Sequence, residues 1–123
     1  MFVRFSTLVR DPDSHSPQGV FQAVIALRDA GHLEGYEEEW LESELSWLRM
    51  HLPSPDCLRD EGNERAICWF RSDATRPIEK VRGIVALLES KGVAVEMITL
   101  ANPGNVIYQD KWQVVAKPWR NRR

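Results

Sequence analysis

Two cysteines in 123 residues, Cys57 and Cys68, are too few and too far apart for a disulfide scaffold or a zinc knuckle. His15, His32 and His51 show no ligand spacing with one another or with the cysteines, so neither a metal nor any other cofactor is expected. No apolar run approaches the ~20 residues a membrane span needs, which excludes a spanning helix. Met1 to Arg10 alternates and is punctuated by arginine, without an apolar core, so a secretory leader is not expected. A reduced, cytoplasmic protein is the corresponding default. Also missing are a Gly-x-Ser-x-Gly elbow, a His-Glu-x-x-His pair and a glycine-rich nucleotide loop. Glu38, Glu39 and Glu42 point to solvent with no base beside them, and Glu96 alone does not define a reaction. Catalysis is not the leading expectation.

Charge of one sign is absent overall, with a formal net charge of −2, but its distribution is uneven. Asp29 to Glu64 carries 11 acids against Arg49 and Arg59, while Arg65 to Arg123 carries 11 bases against 5 acids. A chain polarised in this way either neutralises itself across one fold or steers an oppositely charged partner. Length and an apolar content of 43% fit one core. The expected division is a domain over 1–118 and a basic C-terminal tail over 119–123.

Hydrophobic spacing supplies the elements. Phe2 to Val9 alternates, with Val3, Phe5, Thr7 and Val9 on one side, and reads as a half-buried strand. After the polar turn Asp11 to Ser16, Ser16-Pro17 predicts a helix start, with Val20, Val24 and Leu27 as its stripe and Gly31 as its stop. Leu41, Leu45, Leu48 and Leu52 recur at i, i+4, i+7 and i+11 in a second helix, about Tyr36 to Leu52, which Pro53 ends. Glu37, Glu38 and Glu39 sit in its first turn, where carboxylates favour the helix dipole. Pro53 to Arg65 is a long polar connection, either mobile or folded over a surface. Arg65 to Phe70 predicts a strand, Arg76 to Lys91 a third helix, and Val93 to Leu100 another strand. Asn102 to Asn105 is a turn. Val106 to Gln109 and Trp112 to Lys117 form a hairpin around Asp110-Lys111, most simply through a four-residue loop. The order is βααβαβββ: an α+β domain with a five-stranded mixed sheet and three helices packed on it. Its strand–helix–strand stretch reads as a βαβ unit with a right-handed crossover, the order of its strands in the sheet left open.

The segments Ala66-Ile-Cys-Trp-Phe-Arg71 and Pro103-Gly-Asn-Val-Ile-Tyr-Gln-Asp110, running on into Gln113-Val-Val-Ala-Lys-Pro118, carry a resemblance. With Gly19 to Ala23 and Tyr36 to Leu41, they resemble a set of short, uncharacterised bacterial proteins of about this length. The likeness spans nearly the whole chain, which implies a free-standing domain. It implies no activity, so no catalytic residue follows from it. The loop around Cys57 and the stretch after Pro118 depart from the pattern.

Three constellations remain. Tyr36, Trp40, Trp47 and His51 project about 100° around the second helix from its leucine line, with Glu44 among them. The combined apolar arc is wider than one packing face needs, so these five residues are candidates for a protein partner or a self-dimer through helix 36–52. The competing reading buries Trp40 and Trp47 in the core, with Glu44 reaching outward or taking an arginine partner. Second, Arg71, Ser72, Thr75 and Arg76 at a strand-to-helix turn, with Asn102 across the next strand, would suit a phosphate or carboxylate. That turn lacks glycine, and Ser, Asp and Thr at a helix start are ordinary caps. Third, Lys117, Arg120, Arg122 and Arg123 surround Trp119. A solvated terminus looks the same, and its nucleic-acid affinity would be weak and salt-sensitive, so nucleic acid is not an expected partner. The leading expectation is a non-catalytic protein-binding module of accessory, inhibitor or immunity type. An anion- or nucleotide-binding domain is the alternative.

Overall fold

The structure, a computed structural model, describes residues 1–10, 17–52, 54–63 and 65–119. Strand β1 (Phe2–Arg10) is followed by a short β2 (Pro17–Gly19), α1 (Val20–Asp29) and α2 (Gly35–His51). A 3-10 turn at Asp56–Arg59 leads to β3 (Ile67–Arg71), α3 (Thr75–Ser90), β4 (Val95–Leu100), β5 (Asn105–Gln109) and β6 (Gln113–Lys117). The architecture is α+β, with three α-helices and a six-stranded antiparallel sheet among the described residues.

The sheet is built around β1. Its alternation works as read: Val3, Phe5 and Thr7 are buried, and Val9 lies among the residues whose side chains are not described. One edge of β1 pairs with β4 in six steps, from Phe2–Leu100 to Thr7–Val95. The other edge is divided. Near its start it pairs with β3 only at Phe2–Arg71 and Val3–Phe70. Farther along it pairs with β2 at Ser6–Gly19 and Arg10–Pro17. Because Ser6 also faces Glu96 on β4, β2 must occupy the same edge as β3. Beyond β3 come β6 and then β5.

One expectation is corrected here and one open point is answered. The expected five-stranded mixed sheet is a six-stranded antiparallel one, and the strands flanking α3 are not neighbours. β3 and β4 run parallel to each other, but β1 lies between them and takes hydrogen bonds on both sides. An apolar, nine-residue strand gains more from two paired edges than from one, so it claims the centre. The sixth strand lies where the first helix was expected to start. Pro17 belongs to β2 and α1 begins at Val20, with Thr7 Oγ1 donating to the Gln18 carbonyl at 2.9 Å to hold the strand in place. The predicted cap, Ser16, and the turn before it lie outside the described residues.

The helices meet expectation more closely. Leu41, Leu45 and Leu48 are buried, and Leu52 packs against the same cluster. They join Val20 and Val24 of α1, Val81, Ile84 and Leu88 of α3, and Val3 and Phe5 of β1 in one core. At the start of α2, Glu34 and Glu37 form a capping box, and Lys91 Nζ lies 2.8 Å from Glu37 Oε1.

The turn into β5 depends on one glycine. Gly104 has φ +121°, and its amide donates to Asn102 Oδ1 at 3.1 Å. A Cβ there would run into the Lys117 carbonyl of β6. Gly104→Ala is therefore expected to destabilise the fold by about 2–3 kcal/mol, read as a lower urea midpoint at unchanged slope. An unchanged midpoint would mean that this turn is not held as described.

Candidate functional site

The structure separates the five aromatic-helix candidates. Trp47 is half-buried: His51 stacks on it at 4.0 Å between centroids, and Trp112 of the β5–β6 loop lies at 5.9 Å. The Arg76 and Lys80 cations of α3 each lie 5.4 Å from its ring centroid. Glu44 is neutralised by Lys80, with Nζ 3.2 Å from Oε2, rather than by an arginine. Tyr36 and Trp40 stay open, at 72% and 38% exposure. Trp40 nonetheless has one anchor, because its ring passes within 3.0 Å of where a Cβ at Gly83 would stand. The wide apolar arc is thus partly covered by the chain itself.

The strand-to-helix turn is also divided among other partners. Arg71 donates through Nε to the Asp110 carbonyl at 3.1 Å and through an Nη to Gln109 Oε1 at 2.7 Å. The Ser72 amide donates to the Met1 carbonyl, and Thr75 Oγ1 donates to the Asp73 carbonyl. Arg76 lies over Trp47, and Asn102 accepts from the Gly104 amide in its own turn. A shared crevice with Asn102 needed β3 and β4 side by side, and the start of β1 fills that place. In the tail, Lys117 ends β6 and Trp119 is exposed, while Arg120, Arg122 and Arg123 lie outside the described residues.

A deep concavity forms where the sheet divides. One step past the last β1–β3 pair, the next positions are Arg4 and Trp69, then Phe5 and Cys68, and there the strands no longer pair. A cavity of about 660 Å³ opens between them. Its walls include Phe5, Val20, Ile25, Leu45, Leu48 and Phe70. Gly19 of β2 closes one end, and Pro55 and Leu58 of the 52–66 connection cover another side. The described part of that connection around Pro55 and Leu58 is therefore folded over a surface.

Three polar residues stand out in the lining of this apolar space. Trp69 is only 5% exposed, and its Nε1–H is the one buried side-chain polar atom without a partner among the described residues. An unmade bond of this kind costs about 1–3 kcal/mol. Arg4 is half-buried and joins no hydrogen bond or ion pair among the described residues, and burial pulls its guanidinium below the ordinary arginine value. Cys68 opens onto the cavity, but the surrounding protein raises its thiol above the usual range, with a further push from Cys57 and a weaker opposing pull from Arg4. The thiol is thus protonated at neutral pH and is not a ready nucleophile.

Sequence reasoning missed this site. The signals were an arginine at an interior position of an apolar strand and the apolar residues Leu52, Pro55 and Leu58 inside an otherwise polar connection. Neither points to a cavity until the pairing partners of β1 are known. Among the described residues no helix is long and apolar enough to cross a membrane, and no group of three or more His, Cys, Asp or Glu side chains is placed to hold a metal ion. No protein-family model, curated protein or solved structure matches the chain.

Proposed function

We propose that this protein is a small-molecule binding module whose ligand lies in the cavity between β1 and β3. The observation that carries the reading is an apolar space of about 660 Å³ whose wall carries the half-buried Arg4, a cation without a partner among the described residues. Small-molecule sites span about 300–1,000 Å³, are mostly apolar and carry a few polar groups that fix orientation. A ligand acceptor here would answer the Arg4 guanidinium, which joins no hydrogen bond or ion pair among the described residues. A reducing, cytoplasmic setting belongs to the same reading, since both cysteines are free.

The test uses a neutral fluorophore, N-phenyl-1-naphthylamine, with the Cys57→Ser protein, in which Cys68 is the remaining thiol. Saturable enhancement at one site per chain is expected, and bound probe should slow alkylation of Cys68 by N-ethylmaleimide. Absence of enhancement, or an alkylation rate indifferent to the probe, contradicts the reading.

A protein-binding role through α2 is a second reading, favoured by the exposure of Tyr36 and Trp40 beside the exposed Glu38 and Glu39. Its simplest form is a self-dimer. Sedimentation equilibrium should then show association that Tyr36→Ser weakens, and a monomer at every concentration overturns that form.

A further inference from the structure

Resting on the binding reading above, we infer that the ligand is an apolar molecule bearing one carboxylate, held at its head by the Arg4 guanidinium. The lining itself points to the sign of the head. The chain has 18 acidic residues, yet none of the described residues lining the cavity is acidic, whereas Arg4, Arg28, Arg49 and Arg65 all are lining residues. A cavity whose described lining gathers arginines and carries no carboxylate has room for a carboxylate from elsewhere.

The four arginines are not equivalent. Arg28 lies 2.6 Å from one Glu42 oxygen and Arg49 lies 3.4 Å from the other, so these two are already balanced. Arg65 is exposed at the mouth. Arg4 alone is both half-buried and without a partner among the described residues. Its place one step beyond the Val3–Phe70 pair puts it opposite Trp69 by register. Two N–H donors of one guanidinium form a fork, a pair that fits the two oxygens of a carboxylate. A phosphate dianion would bring more charge and more acceptors than this pair can answer in an apolar wall. Phe5, Ile25, Leu48 and Leu58 then cover the apolar body.

The experiment displaces N-phenyl-1-naphthylamine from the full chain with dodecanoate, 1-dodecanol or dodecylamine, each below its micelle concentration. Dodecanoate is expected to compete at least about tenfold more tightly than dodecanol, with dodecylamine the weakest. Arg4→Met should bring the acid down to the level of the alcohol and leave the alcohol unchanged. Equal competition by acid and alcohol in the unsubstituted protein overturns this inference while the binding reading stands, and that comparison needs no variant to fold. An acid preference that survives Arg4→Met removes Arg4 from the role. Failure of the protein to bind the fluorophore at all brings down both.

Discussion

Asp110→Ala is expected to cost about 3–4 kcal/mol of unfolding free energy, because one carboxylate organises the whole β5–β6 loop. Its Oδ1 accepts from the Trp112 and Gln113 amides, each at 2.9 Å. Its Oδ2 accepts from the Tyr108 hydroxyl at 2.9 Å and Gln113 Nε2 at 3.2 Å. The variant leaves these donors unanswered in a partly buried place, where a lost bond is expensive. The same bonds set a pH dependence. Burial alone would raise the Asp110 carboxyl, but the Trp112 and Gln113 amides, then the Tyr108 and Gln113 side chains, outweigh it and hold it below its ordinary value. Its stabilisation is therefore full above the ordinary aspartate range and lost as pH falls through the lowered folded value. Acid titration of stability should be steep in the unsubstituted protein and shallower in the variant. Some slope persists, since Lys91 and the Glu34 amide also hold the half-buried Glu37 low. Equal acid limbs in the two proteins would show that Asp110 does not carry the effect. Chemical denaturation across pH reads both quantities.

Cys68→Phe should weaken cavity binding by at least about 30-fold, equivalent to about 2 kcal/mol, without lowering the melting temperature. Cys68 stands on β3 facing the space that opens past the last β1–β3 pair, and it pairs with the buried Val115 on β6. A phenyl ring there enters the cavity instead of displacing packed core, and aromatic residues suit a strand. It therefore removes ligand volume while adding apolar contact within the fold. Titration of N-phenyl-1-naphthylamine alongside a thermal melt measures both. Unchanged affinity would place the bound probe somewhere else on the protein.

What could be read from the chain follows the range of the interaction involved. The leucine line of α2, its acidic first turn and the stop before Pro53 depend on neighbours within a few residues, and the structure keeps them. The alternation of β1 was equally plain. Its two-sided pairing was not, because partner choice depends on residues some 60 to 100 positions away. That single unknown accounts for the expected mixed sheet, for the dispersal of Arg71, Ser72, Thr75, Arg76 and Asn102, and for the cavity that went unseen. The aromatic flank of α2 shows the same limit. Helical spacing brings Trp47 and His51 together, as their stacked rings show, but nothing local announced that Trp112, Arg76 and Lys80 would close over Trp47 and leave Tyr36 and Trp40 apart from it. The exposed remainder is Tyr36, Trp40 and His51.

The indole N–H resonance of Trp69, assigned by its loss in Trp69→Phe, reports most directly on the divided sheet as a ligand site. On titration with dodecanoate it should move further than the indole signals of Trp40, Trp47, Trp112 and Trp119, because the Trp69 side chain lines the cavity the acid enters. A Trp69 signal that stays in place while the acid binds, or one that shifts no more than the other four, would contradict the account.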